Sequence, residues 1–546
     1  MSKTACVLTL ACALSVPADA APAIRFREVS QAWGLDFRHH HGGSGERYMV
    51  ETMAGGVVVF DYDGDGDDDV FFVDGGVLPG YQGDPPRSRL YRNEGGRRFA
   101  DVTERSGIAV KDFGTGVTAG DVDGDGDLDL LVSAFGRAQL FRNEGDGTFT
   151  DVTAAAGVGE PGWSAGAAFS DADRDGDLDL YVAHYVDFGL DNHVYCGRRD
   201  LGLRGYCHPD VYNGLPDRFY ANRGDGAFVD RTREAGFAGT QGAGLGVVFG
   251  DLDNDGWPDL YVANDLTPNF LFLNRGVGAD GQVKFEDVSL LSGTSHGDRG
   301  LPEAGMGVDL ADVDGDGLFD VVVTNFELET NALYKNQGGG VFSDERYPLG
   351  LAEPSLLRLA FGVAWADFDH DGDQDLAVAN GHVNDNPEAM DSVTPYRQPN
   401  QVFEARGGRF AEVQDAGLDV VRSSRGLAVG DLDLDGDLDV VVANSNDLAE
   451  VYENLTGQDA GWLLVDLAGA GGNRFGIGGR VELPSAAGTA RREVRTGSSY
   501  LSQNALAVHF GTGGRAVLDR LVVRWPDGRV RELRDLPARR RLRIRE

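Results

Sequence analysis

The sequence predicts an all-β protein: a seven-bladed β-propeller closed by its N-terminal strand, followed by a small C-terminal β domain. Three observations predict it. A nine-residue acidic loop recurs seven times between apolar, β-prone runs. Around each loop, four strand-like segments repeat at spacings of 60, 50, 80, 61, 55 and 64 residues. The last repeat lacks its fourth segment, and a matching segment stands ahead of the first loop.

The loop carries the chemistry. Its first copy, Asp61-Tyr62-Asp63-Gly64-Asp65-Gly66-Asp67-Asp68-Asp69, follows Val57-Val58-Val59-Phe60 and leads into Val70-Phe71-Phe72-Val73. Carboxylates at positions 1, 3, 5 and 9 converge if the backbone curls, and Gly at position 6 permits the sharp turn. The ligand set is Asp61, Asp63, Asp65 and Asp69, then Asp121, Asp123, Asp125 and Asp129, then Asp171, Asp173, Asp175 and Asp179. It continues with Asp251, Asp253, Asp255 and Asp259, and with Asp312, Asp314, Asp316 and Asp320. Asp367, Asp369, Asp371 and Asp375, and Asp431, Asp433, Asp435 and Asp439, complete it. Hard oxygens in this number suit Ca²⁺, so up to seven structural Ca²⁺ are expected. An EF-hand is excluded: it needs Glu at position 12 and flanking helices, and position 12 is Phe72 in a β-prone run. Asp-Gly clusters are often only solvated turns. Packing 28 carboxylates in this way without cations, however, is costly.

Each repeat reads in order. A Gly-entered apolar strand such as Gly116-Val117-Thr118-Ala119-Gly120 precedes the loop, and Leu130-Leu131-Val132-Ser133 follows it. A third segment holds an aromatic and Asn, as in Leu140-Phe141-Arg142-Asn143. A Gly-rich hairpin, Glu144 to Gly147, leads to the fourth, beginning at Phe149. Fourth segments occur at Phe99, Phe149, Phe228, Phe285, Phe342 and Phe410, and the spare one is Phe26-Arg27-Glu28-Val29. Using the spare to finish the last sheet closes the ring and removes an exposed edge. Four antiparallel strands per period describe a propeller blade, so residues 24–456 form the propeller.

The repeated D-x-D-x-D-G-x-x-D loop, with its N-x-G-D-G-x-F hairpin, resembles the FG-GAP/VCBS repeat of integrin α-subunit propellers. That resemblance implies Ca²⁺ at the Asp loops. Residues 460–546 lack the loops and read as short strands at Arg480 to Leu483, Ala505 to Phe510, Leu521 to Trp525 and Val530 to Leu533. Gly497-Ser498-Ser499-Tyr500-Leu501-Ser502-Gln503-Asn504, His509-Phe510-Gly511 and Arg524-Trp525-Pro526-Asp527-Gly528 make this segment similar to the ASPIC/UnbV domain. The combination resembles the cartilage acidic protein family and its bacterial relatives, which implies an architecture and names no activity.

The formal net charge of −39, which seven Ca²⁺ would bring to −25, argues against nucleic-acid binding. Residues 1–20 read as a secretory signal, with Lys3, the apolar Ala5 to Val16 and Ala18-Asp19-Ala20 as cleavage site. A lipoprotein signal ending at Cys12 competes, but Thr9 stands where an aliphatic residue is usual. No segment approaches 18 uninterrupted apolar residues, so no transmembrane helix is expected. Removal of the signal leaves Cys196 and Cys207, a disulfide candidate in an exported chain.

Strand order puts the Asp loops and Gly hairpins on one face and the insertions on the other. The largest insertion, His184 to Arg218, holds Tyr185, Tyr195, Arg198, Arg199, Tyr206 and His208 besides the cysteines, and Gly381 to Asn400 occupies the equivalent place in the sixth repeat. His39 and His41 fall in a connector on the same face. These are the candidate ligand-face residues, because long loops on a rigid scaffold are where binding usually sits. Each also has a plainer role: a disulfide-tied loop as a staple, and three adjacent His as connector. Arg223-Gly224-Asp225 spells an adhesion tripeptide where the repeat already demands the hairpin. The Arg of residues 539–546 read mainly as a solvated face. No G-x-S-x-G, phosphate-cradling loop or H-E-x-x-H occurs. The expected function is therefore an exported calcium-binding propeller that recognises an extracellular protein or glycan through the insertion face. An exported enzyme acting on polysaccharide or lipid is the competing reading, and an architectural spacer a third.

Overall fold

The computed structural model describes residues 24–387, 392–485 and 488–546. The expected signal segment, with Cys6 and Cys12, lies outside them. Among the described residues the fold is all-β, with only short one-turn helices between strands.

Seven antiparallel four-stranded units occur among the described residues. In the first, Val57–Phe60, Asp69–Phe72, Arg89–Asn93 and Phe99–Asp101 pair in succession. In the seventh, Ser424–Gly430, Asp439–Asn444 and Glu450–Asn454 are completed by Phe26–Glu28, which pairs with Glu450–Asn454. The second and third units merge at their rims, where Pro161–Trp163 pairs with Phe135–Arg137. The first strand of each unit packs against that of the next, and Ser424–Gly430 packs against Val57–Phe60, so the succession is cyclic.

The sequence explains the strands. The second strand of every unit starts at the position-9 Asp of its loop, at 69, 129, 179, 259, 320, 375 and 439. The seven fourth-strand Phe, from Phe26 to Phe410, are all at most 7% exposed, so they serve as core between units. A one-turn helix follows most fourth strands and was not expected from the sequence. Its signal is Asp-x-Thr/Ser: Asp101 Oδ1 accepts the Thr103 N–H and hydroxyl, and Thr103 Oγ1 accepts Leu90 N–H at 3.0 Å. The same arrangement recurs at Thr153 and Ser289.

The C-terminal segment has more strands than its sequence suggested. Gly461–Ala468 lies between Val508–Gly513 and Arg540–Arg545, and Arg480–Pro484 lies between Thr489–Glu493 and Val517–Arg524, with Val530–Pro537 at the edge. The Arg-rich end is thus a strand. Leu542 and Ile544 face inward while Arg540, Arg543 and Arg545 stay exposed. The expected strand from Ala505 begins instead at Val508, because residues 497–504 are drawn into the ring.

That stretch threads the channel lined by the first strands. Gln503 N–H donates to Val57 O and its carbonyl accepts Val59 N–H, while Leu501 O accepts Val117 N–H. Ser499 N–H donates to Val308 O, Ser499 Oγ accepts Val363 N–H at 2.9 Å, and Asn504 Oδ1 accepts Val429 N–H at 3.0 Å. A row of channel-facing N–H groups, each costly to leave unpaired, is paired by one inserted segment. Its tip, Tyr500 and Leu501, joins an apolar cluster on the insertion side with Met53, Met306 and Phe361.

Candidate metal centres and the opposite face

Each Asp loop is built by its own N–H groups. The position-6 Gly has φ between 90 and 105° in all seven, the left-handed region open to Gly. Its N–H donates to Oδ2 of the position-1 Asp in Asp61, Asp251, Asp312 and Asp367. The position-5 carboxylate accepts the N–H of position 7, as Asp125 does from Asp127 at 3.0 Å. Position 4 is also left-handed, and there Arg174, Asn254, His370 and Leu434 stand where the other loops have Gly.

The position-9 Asp ties three strands together. Its Oδ2 accepts the N–H of position 2 and its Oδ1 an N–H of the third strand, at 2.7–3.2 Å in every unit. In six units that third-strand residue is Asn. Its Nδ2 donates onward to the position-2 carbonyl of the preceding unit, as Asn143 does to Tyr62 O at 2.7 Å and Asn93 to Leu432 O at 2.9 Å. Asn222, Asn274, Asn336 and Asn454 do the same. The sixth unit has Ala405 at that place.

These loops fit a hard cation. Oδ1 of Asp61, Asp251, Asp312, Asp367 and Asp431 is buried with no hydrogen-bond partner. Oxygens from Asp61, Asp63 and Asp69 lie within 4.8 Å of one another, as do those of Asp121, Asp123 and Asp129, and of positions 1, 3 and 5 in the third, fourth and fifth loops. Burial, then the neighbouring Asp125 charge, pushes Asp121 up to about 7. Burial, opposed by Arg492 and reinforced by Asp371 and Asp369, pushes Asp367 up to about 8. Carboxylates gathered against their own charge, with an unpaired position-1 oxygen in five of the seven loops, suit a divalent ion.

The C-terminal segment covers this face, which the sequence did not reveal. Arg480 pairs with Asp251, Gly511 N–H donates to Asp367 Oδ2 at 2.8 Å, and Arg541 donates to Gly66 O at 2.8 Å. Arg541 was expected on a solvated face and instead reaches the first loop.

The opposite face carries the insertions. Cys196 and Cys207 form a disulfide. Cys196–Arg198 and Leu203–Gly205 make a small ribbon, where Arg199 and Arg204 lie over the Tyr195 ring and Arg198 pairs with Asp200. Tyr185, Tyr206 and His208 come together on one cavity. His39 and His41 do not join them. His39 Nδ1 accepts Asn446 N–H and His41 Nδ1 accepts Gly43 N–H, both at 3.1 Å, and burial pushes both rings down to about 4. Sequence reasoning missed Asp265, Glu327 and His382 on the same cavity, which stand just past second strands with no local motif. Ser392 Oγ lies 3.1 Å from His382 Nε2. His382 Nδ1 accepts Asn384 N–H at 2.9 Å, so Nε2 carries a hydrogen and does not accept the hydroxyl's.

The FG-GAP-like repeat family matches at residues 61–132, 121–182, 206–262, 251–323 and 312–378, and ASPIC and UnbV matches at residues 469–546. The chain belongs to the FG-GAP-like repeat family. Among this FG-GAP protein's relatives, Cartilage acidic protein 1 of Xenopus tropicalis is 30% identical over 300 residues, 53% of this chain and 42% of the relative. That of Mus musculus is 29% identical over 350 residues, 61% and 50% respectively. The chain spans about half the length of the curated relatives it matches. A solved lectin of Agrocybe aegerita aligns with TM-score 0.37 at 15% identity, over 68% of this chain and 88% of that one.

Proposed function

We propose that this chain is an exported, calcium-dependent recognition protein. Its seven units are the blades of a propeller, and each Asp loop holds one Ca²⁺ through positions 1, 3, 5 and 9. Residues 24–456 are the propeller and 460–546 a β domain that caps its metal face. With that face covered, the insertion face is left to bind an extracellular protein or glycan, in line with the cartilage setting in the relatives' names. The observation that carries the reading is the set of buried position-1 oxygens without partners. Extracellular modules bind Ca²⁺ with Kd of about 10⁻⁴–10⁻³ M, so at about 1 mM each site stabilises by about 0.4–1.4 kcal/mol.

Elemental analysis of protein dialysed against calcium, paired with thermal melts in calcium and in EDTA, tests it. Several Ca²⁺ per chain and a melting temperature many degrees lower in EDTA are expected. A metal-free protein with the same melt in both buffers overturns the reading.

A further inference from the structure

The channel is blind on the insertion side. The Tyr500 ring closes against Phe361 with centroids 4.8 Å apart, and above them lies a cavity of about 260 Å³. Its apolar wall is Met53, Met306, Phe326 and Phe361. Two carboxylates enter it, Asp265 after the second strand of the fourth unit and Glu327 after that of the fifth.

The two are held differently. Glu327 accepts Thr394 N–H at 3.0 Å and the hydroxyls of Thr394 and Ser392 at 2.6 and 2.7 Å. Burial works against its charge, but bonds from His382, Thr394 and Ser392 outweigh it and bring the carboxyl down to about 2. Among the described residues Asp265 has one donor, the Tyr185 hydroxyl on Oδ2 at 2.5 Å. Burial, opposed by the Tyr185 bond, pushes its carboxyl up to about 6. Asp265 lines the cavity beside Tyr185.

Nearby charges oppose one another there: His208 favours the ionised form of Asp265 and Asp210 disfavours it. Arg425 lies behind the cavity wall, 4.1 Å from the Phe361 centroid, and donates to Thr52 O, Ser424 O, Ser423 Oγ and His382 O. His208 is beside Asp210 at 3.0 Å. A pocket with an apolar wall and two carboxylates, one of them held by a single hydrogen bond among the described residues, complements one chemistry. We propose that it binds an organic cation, an alkylammonium or guanidinium group on an apolar stem, anchored by Asp265 and seconded by Glu327. The inference rests on the insertion face being the recognition face, and it names what that face takes. The cation can be a free amine or a Lys or Arg side chain of a protein.

Calorimetric titration in saturating calcium tests this with n-butylammonium, n-butanol as its neutral counterpart, and a Gly-flanked single-Lys peptide. Saturable binding of the ammonium is expected, with n-butanol weaker. Asp265→Asn, which keeps an acceptor for Tyr185, should weaken the ammonium by about tenfold or more. Ala304→Leu narrows the cavity without removing a carboxylate and should abolish binding. Peptide binding marks a protein side chain as the source, and ammonium binding without it marks a free amine. No saturable binding, equal affinity for n-butanol, or an unchanged affinity in Asp265→Asn overturns the proposal. The melt in EDTA, run in parallel, keeps that failure apart from failure of the calcium reading.

Discussion

At the scale of single residues, the loops show what a fixed backbone demands. Position 4 is left-handed in all seven, and Leu434, with φ of 65°, is an exposed β-carbon residue at such a place. That conformation costs an L-residue roughly 1–2 kcal/mol, partly offset by the entropy that Gly loses on folding. Leu434→Gly should therefore stabilise by about 0.5–1 kcal/mol, read by denaturant unfolding in calcium. Arg174→Gly should gain less, because it removes a guanidinium 4.0 Å above the Trp257 ring. Equal gains would refute the cation–π contribution. His184 supplies a pH dependence away from the metal loops. Burial, then the Arg218 charge, pushes it down to about 4, against about 6.5 unfolded. As pH falls, the unfolded chain takes the proton first. The contribution is complete above pH 6.5 and is lost from 6.5 to 4, at about 1.4 kcal/mol per pH unit. In His184→Gln the acid limb of stability against pH should be shallower by that slope. An unchanged slope would show that the ring already holds its proton in the fold.

At the scale of elements, the Asn that ends six third strands latches each unit to the loop before it. Asn274→Ala would strip donors from Ala172 O and Pro258 O, both held by its Nδ2. Loss of two bonds with buried acceptors should cost about 2–3 kcal/mol, measured by chemical unfolding. The sixth unit offers the converse. Ala405 keeps the backbone bond to Asp375 but has no latch, and a cavity of about 440 Å³ bordered by Ala405 and Val313 opens there. Ala405→Asn should close onto Val313 O and stabilise by about 1 kcal/mol. A loss of stability would mean the seam does not admit the amide. The loops, the Phe core and the borrowed strand Phe26–Glu28 were legible in the sequence because each copy must solve the same local problem with the same residues. The Asn motif was visible, but its purpose was not, since its acceptor lies in another unit. Gly497 to Asn504 was harder still. A run of Ser, Gln and Asn reads as a surface loop until a ring of unpaired N–H groups exists to receive it. Arg540–Arg545 was hidden by its composition, although Leu542 and Ile544 already alternated with Arg.

At the scale of the whole molecule, the inserted segment and the capped loops join the two parts into one thermodynamic unit. Gln503 Oε1 alone accepts the Thr118 hydroxyl at 2.6 Å, Ala119 N–H at 2.9 Å and Gly497 N–H at 3.3 Å. Thr496 bonds Phe169 in the third unit, and Asn504 bonds Val429 in the seventh. Unfolding the C-terminal part would strand these groups in the channel, and opening the ring would strip the cap of its support. Calorimetry in calcium should thus give one transition for the full chain, with equal van't Hoff and calorimetric enthalpies. Replacing residues 498–504 by a Gly-Ser linker of equal length should split it, because the cap would then hold only by contacts such as Arg480 with Asp251 and Gly511 with Asp367. Those contacts fall on the loops proposed to carry calcium, so chelation should lower the cap's transition in the linker variant more than that of the ring. Two transitions in the unaltered chain would show the cap folding on its own, and the channel segment would then be a passive filler instead of the axle joining the two parts.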